Sequence, residues 1–363
     1  MNKCGNLLQR INKGFFYYIF AIVIFTGIFV NSEPFLAMAD NLRESSVLSD
    51  EKNNDLKGTF VIDVDQFGAV GDGITDDTLA INKAIEAGKI IQFGQKKTYY
   101  VTGNLLIKKS GTTLDLNGSR ILNSYNGYTH YIQNGDSTVV HGYDGVGDLT
   151  IKNGTLEHME ISVCHGKNIK IEYLDFKNSG GHFIQVMSCK NVLISHCSFR
   201  GIKDSAKNSS RECINLDPCD FKANRRYGEN SPAYDGTNND YITIEHCISE
   251  QGTDAGFTAP QRLGFSHYHV NDNLFHDHIV VRDNLANGCE NMACMWIYDF
   301  HNSEIYGNRF ISRYDKVIIA KYGDNNKYYD NVTTAVESLP IKFLSITNGN
   351  QNNLTTYNNS ITY

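Results

Sequence analysis

No surplus of positive charge marks this chain. Its 33 Lys and Arg stand against 40 Asp and Glu, a net of −7. A phosphate backbone needs a positive surface to hold it, so nucleic acid is excluded as the main ligand. Charge of either sign is scarce: charged residues make up 20% of the 363 and apolar ones 41%, which is the balance of a packed body rather than a disordered one. Nine cysteines are present, yet none form a Cys-x-x-Cys pair, which removes the zinc-finger reading.

What is there begins with an address. Lys3, Arg10 and Lys13 precede an uncharged, mostly apolar run from Phe15 to Val30, and Ala37-Met38-Ala39 supplies small residues around a cleavage point. The run is long for a signal and short for a membrane span, so residues 1–39 read as a signal peptide or a membrane anchor. Either way the body is exported, secreted or held at the cell surface. Without that segment, which holds three cations and Glu33, the net charge falls to −9. Residues 40–58 are polar and read as a solvated linker, which leaves 59–363 as one domain. Cys4 precedes the apolar core, and the other eight cysteines could bridge in an oxidising compartment. The matching contexts Ser195-His196-Cys197 and Glu245-His246-Cys247 favour buried thiols stacked in ladders.

A short phrase recurs from residue 147, in which a polar pair precedes two apolar residues separated by one other. It reads Gly147-Asp148-Leu149-Thr150-Ile151, Lys167-Asn168-Ile169-Lys170-Ile171, Lys190-Asn191-Val192-Leu193-Ile194, Asp240-Tyr241-Ile242-Thr243-Ile244 and Asp277-His278-Ile279-Val280-Val281, with a degraded copy ending at Ile305. The last apolar residues are 20, 23, 50, 37 and 24 positions apart, a period in the low twenties interrupted twice by longer excursions. Alternation with period two and a wealth of Ile and Val make each phrase a short strand. Strands of successive coils can pair in parallel and fill a continuous core, so the spacing predicts a solenoid.

Upstream, Asp65-Gln66-Phe67-Gly68-Ala69-Val70-Gly71-Asp72-Gly73-Ile74-Thr75-Asp76-Asp77 is a glycine-punctuated turn running into a short helix. Thr75 or Asp76 suits its N-cap, Ile81, Ala84 and Ile85 share one face, and Gly88 is a plausible stop. This segment resembles the opening of the pectate-lyase-like right-handed parallel β-helix superfamily. The resemblance implies an all-β, right-handed parallel β-helix over roughly residues 59–350, with the helix at 76–87 covering its N-terminal end.

The excursions point to chemistry, since loops can change while strands are committed to stacking. On Cys213-Ile214-Asn215-Leu216-Asp217 the apolar residues face inward, which turns Asn215 and Asp217 outward. Asn215-Leu216-Asp217 is similar to the Asn-Thr-Asp element of polygalacturonases, which implies a catalytic acid at Asp217. Asp254, in Gly252-Thr253-Asp254-Ala255-Gly256, is expected across from it on the next coil, and two such carboxylates could share acid and base roles in glycosidic cleavage. That family's Asp-Asp pair, Gly-His-Gly and Arg-Ile-Lys are missing. Lys203, Lys207, Arg211, Lys222, Arg225 and Arg226 instead suggest a uronate, which Arg can clamp and whose α-proton a base could remove; Arg211, Lys203, His267 and His269 are the candidates. The bland reading pairs these cations with Asp204, Glu212, Asp220 and Glu229. Glu212, Asn215, Arg225 and Arg226 are expected substrate contacts, as are Trp296 and Tyr298, which should point outward with Phe300 for sugar stacking. His267-x-His269 lacks a third metal ligand, whereas Asp217, Asp220, Asp235 or Asp254 could hold calcium. The function expected is that of an exported enzyme cleaving a uronate-containing polysaccharide by hydrolysis or β-elimination. A polysaccharide C5-epimerase and a non-catalytic glycan-binding surface β-helix are the alternatives.

Overall fold

The computed structural model describes residues 60–124, 130–135, 140–336, 340–347 and 351–363. The segments expected to be a signal or anchor (1–39) and a linker (40–58) lie outside the described residues. Among the described residues no helix is long and apolar enough to cross a membrane.

The chain winds as a right-handed parallel β-helix. One face is a nine-stranded sheet that includes Met159–Cys164, Ile184–Met187, Glu212–Asp217, Arg262–Phe265, Met295–Tyr298 and Lys316–Lys321. The remaining strands run together in a 23-stranded sheet that supplies the other walls of the coil. The phrases read in the sequence are stacked in register: Ile169, Val192, Ile242 and Ile279 lie one above another, as do Ile171, Ile194, Ile244, Val281 and Ile305. All are buried in one continuous core.

Each phrase opens on a polar pair because its second residue turns a corner. Asp148, Asn168, Asn191, Tyr241, His278 and Asn302 all have φ between +49° and +56°. Asn and Asp tolerate this left-handed region better than other side chains, and here they also bond along the stack. The Asn168 amide donates to Asp148 at 2.8 Å and the Asn191 amide to Asn168 at 3.1 Å. A second ladder is buried. Asn284, Asn308 and Asn331 each donate a backbone N–H and a side-chain N–H to the Oδ1 of the asparagine one coil on, ending at Asn359, with distances of 2.9 to 3.1 Å. Cys247 joins it by donating its backbone N–H to Asn284 at 2.8 Å, and Cys197 sits in the coil before, so the matching cysteine contexts do occupy one stacked position. Among the described residues six cysteines are buried free thiols, and Cys289 and Cys294 form a disulfide.

The helix spans Thr78–Ala87 and buries Ile81, Ala84 and Ile85. It packs on the turn Val64–Phe67 and the strand Leu105–Ile107 near the start of the solenoid. It begins slightly later than expected because Asp76 accepts from the Thr78 N–H at 3.0 Å, while the Asp77 carboxylate reaches back to the N–H groups of Val70 and Gly71 at 2.6 and 3.1 Å. Gly88 is extended, not left-handed; a Cβ there would lie 2.6 Å from Ile62 Cγ1, so close approach requires the glycine.

The buried ladder generates a prediction. Asn308→Ala removes the acceptor for two N–H groups of Asn284 and the donor to the Val281 carbonyl. It should cost about 2–4 kcal/mol, because buried groups left unpaired carry their full desolvation penalty. Asn325→Ala, on the exposed ladder, should cost under about 1 kcal/mol. Urea unfolding midpoints compare the two; equal losses would mean that the buried ladder adds nothing special.

Candidate functional site

Both long excursions leave from the nine-stranded face. The 50-residue step is spent on segments 203–211 and 218–238, before and after Glu212–Asp217, and the 37-residue step on 251–261 and 266–275, around Arg262–Phe265. Ile214 and Leu216 enter the core and Asn215 and Asp217 turn outward, yet every residue of that strand is buried. The reason is the segment 218–238, which folds back over the sheet. Asn224 donates to Asp217 at 2.8 Å and Asn215 donates to its other oxygen at 2.6 Å. Arg226 reaches across to the Asn134 side chain, the Ser162 carbonyl and the Asn134 carbonyl. Burial pushes the Asp217 carboxyl up to about 7, with the two amide bonds pulling it down.

Beside it lies a buried ion pair set by register. Glu212 and Arg262 are direct cross-strand neighbours, and Arg262 Nη1 lies 2.5 Å from Glu212 Oε1 with both side chains fully enclosed. Arg262 Nη2 donates to Asn208 at 2.6 Å, and the guanidinium lies 3.6 Å from the centroid of the Trp296 ring. Burial pushes the Glu212 carboxyl up to about 7 although Arg262 pulls it down. His182 and His267 flank the carboxylate, each 3.6 Å from one of its oxygens, and burial lowers both imidazoles to about 4, so both are neutral at pH 7. Trp296 stacks on Tyr298 at 6.2 Å, and the Lys321 ammonium lies 4.6 Å from the Tyr298 ring centroid.

Several buried polar atoms on this face have no hydrogen-bond partner: Glu212 Oε2, Asn215 Oδ1, Arg262 Nε, His267 Nδ1 and Trp296 Nε1. Buried polar groups are normally paired, so these atoms are the least satisfied part of this face, beneath the partly exposed rings of Trp296 and Tyr298.

Several expectations are corrected. Asp254 is not opposite Asp217: Asn215 aligns with Phe265, so the chain opposite Asp217 has already passed Asp254. Asp254 is exposed in a turn and accepts from Asn178 at the rim of the other sheet. Arg211 closes its own loop on the carbonyls of Ala206 and Asp204, and Lys203 sits half-buried where its backbone N–H meets the Ser179 carbonyl. Arg225 is exposed with its guanidinium over Phe221, and Arg226 is committed to fastening the loop. His269 turns to Asp299 at 2.7 Å and stacks on Tyr322. Phe300 is fully buried, because Asp299 at φ +56° turns the corner before it. Asn215, Asp217, Glu212, His267, Trp296 and Tyr298 do share the nine-stranded face. Arg262, His182, Asn224 and Lys321 were missed; Glu212 facing Arg262 was the only available signal, and it required the register across a 50-residue step.

No family model matches the chain. Residues spanning 56% of it are 28% identical over 254 positions to plasmin and fibronectin-binding protein A of Streptococcus pneumoniae, and cover 35% of that protein. The chain thus matches only about a third of the length of that curated relative. Among solved structures, the surface adhesin PfbA of Streptococcus pneumoniae matches 83% of this chain and 85% of its own, with 21% identity and a TM-score of 0.65. A mutant tailspike protein of Escherichia coli bacteriophage HK620, in complex with a pentasaccharide, matches 86% of this chain and 58% of its own, with 12% identity and a TM-score of 0.58. These structures share the right-handed β-helix fold. The expectation of a polysaccharide lyase or glycoside hydrolase is overturned: the relatives are a plasmin and fibronectin-binding protein and a surface adhesin. For hydrolysis the geometry agrees, since the expected pair of Asp217 and Asp254 is not assembled.

The raised Asp217 carboxyl predicts a pH dependence. Its ordinary value is 3.8 and its folded value about 7, so the stability it contributes is full below about pH 4 and is lost as pH rises through about 7. Asp217→Asn cannot ionise. The melting temperature of that variant relative to the parent should climb by at least about 3 °C between about pH 4 and pH 8. An offset that stays constant across that range would show that burial does not act on this carboxyl.

Proposed function

We propose that this chain is an exported, non-catalytic binding protein of the cell surface that holds an oligosaccharide on its nine-stranded face. The observation that carries this reading is the partly exposed Trp296 and Tyr298 pair, stacked at 6.2 Å, with the Lys321 ammonium 4.6 Å from the Tyr298 ring. Sugar rings offer apolar faces for aromatic stacking, which partly open Trp and Tyr rings can meet. The carboxylates nearby are held by Arg262, Asn215 and Asn224, which makes them parts of a rigid surface rather than groups offered to a substrate. Export is supported by the apolar N-terminal run and by the Cys289–Cys294 disulfide, which suits an oxidising compartment. The pentasaccharide complex of the tailspike neighbour and the surface location of the adhesin neighbour support the same reading.

A protein ligand is the second reading. It is favoured by the name of the curated relative and by exposed apolar side chains on the 23-stranded sheet, where Tyr173, Tyr241 and Ile248 are 55%, 49% and 40% accessible.

Trp296 is the single tryptophan in the sequence, so its fluorescence reports directly on this face. Titration with a panel of oligosaccharides should give a saturable change. Trp296→Ala, followed by calorimetry, should weaken binding by about tenfold or more, the effect of removing a buried aromatic anchor. Prolonged incubation should release no reducing ends and no unsaturated uronate. Binding that Trp296→Ala leaves intact would move the ligand off this face, and turnover would refute the non-catalytic reading.

A further inference from the structure

The outer surface of the 23-stranded sheet carries a groove of about 380 Å³ that crosses three coils. Asn168, Lys170, Asn191, Leu193, Tyr241 and Thr243 line it. Lys170, Leu193 and Thr243 occupy the same outward position of successive coils, followed by Val280 on the fourth. We propose that this groove binds an acidic, extended peptide segment of a protein partner. The proposal rests on the protein-ligand reading and gives it a place and a chemistry.

Charge is the first argument. Lys167 and Lys190 are direct cross-strand neighbours, an arrangement in which like charges repel. Lys190 is compensated one coil on, where its ammonium lies 2.7 Å from Asp240. Lys167 and Lys170 are exposed, and among the described residues neither forms an ion pair. In a chain of net −7, these lysines create a local positive field that an acidic side chain of a partner would neutralise.

Shape is the second. Tyr241 holds the corner position that Asn168 and Asn191 hold in the preceding coils, at φ +53°, a conformation that a bulky side chain adopts at a cost. Its ring stacks on His278 at 4.4 Å and stays 49% accessible beside the groove. Leu193 and Val280 add half-buried aliphatic contact on their own coils. An extended peptide turns its side chains alternately to opposite faces, so one acidic residue can meet the lysines while the residue two further on meets Leu193. Aliphatic side chains in such a row suit a peptide better than a sugar, which stacks on aromatic faces.

The test pans a displayed library of random dodecapeptides on the immobilised full chain and measures the enriched peptides by fluorescence polarisation. Enriched sequences should be rich in Asp and Glu interspersed with aliphatic residues, and added salt should weaken their binding, since exposed charges are screened. Lys170→Glu should weaken it by about tenfold or more. Lys167→Glu should do the same while melting no lower than the parent, because it removes the repulsion with Lys190; a merely structural role for Lys167 would not lower the affinity. Peptides that bind the parent and both variants alike would overturn the groove and leave a protein ligand elsewhere on the chain. Enriched peptides without acidic residues would overturn it equally. A library from which nothing is enriched overturns the groove and the protein-ligand reading together. If heparin binds instead and both variants lose it, the groove takes an acidic glycan and the peptide assignment falls.

Discussion

Parallel stacking in register is the constraint from which the rest of this structure follows. Each strand gives its backbone donors and acceptors to the coils on either side, so a strand can neither lengthen nor slip without breaking two neighbours. The same requirement at the corners selects the left-handed residues, and Asn and Asp there turn a local strain into a ladder of side-chain bonds. In the second half of the solenoid the buried asparagines from Asn284 to Asn359 do inside what the corner residues do outside. Each satisfies backbone groups that a bend in the strand would otherwise leave unpaired.

Because strands are fixed, variation is confined to what leaves them. The two long excursions depart from neighbouring strands of the same face, and the longer one returns across it. That return explains why Asp217 is enclosed although its position in the strand points outward. It also explains the electrostatics. Glu212 and Arg262 meet as cross-strand neighbours beneath loops that exclude solvent, so the ion pair has lost hydration and recovers it only partly through Asn208 and the Trp296 ring. Removing one partner from such a pair strands the other, which is why the cluster is better seen as a single unit than as separate side chains.

The architecture was legible in the sequence because its signal is local. Five residues suffice to recognise a phrase, and the polar pair before each strand states where the corner falls. The site was legible only where it depended on alternation within a strand: Asn215, Asp217, Trp296 and Tyr298 point outward for that reason. Whatever depended on register across an excursion was not. Asp254 was placed opposite Asp217 from its order along the chain, but the turn that holds it sits before the strand begins, and the residue that faces Glu212 is Arg262. Phe300 was misplaced for a related reason, since one left-handed residue, Asp299, ends the alternation that Trp296 and Tyr298 obey.

Raised carboxyls in an enclosed pocket are also what a general acid requires, and the distinction between that role and this one rests on access. Catalytic groups carry shifted values together with a path to substrate, whereas structural pairs carry the shift alone. Asp217 spends both oxygens on amides, and the Glu212 oxygen nearest Arg262 is taken by it. The rings of Trp296 and Tyr298 remain partly open above this network. A surface whose charged groups are fixed from beneath and whose exposed part is aromatic meets a ligand with little reorganisation. Such preorganisation favours binding, and it leaves few groups mobile enough to transfer a proton.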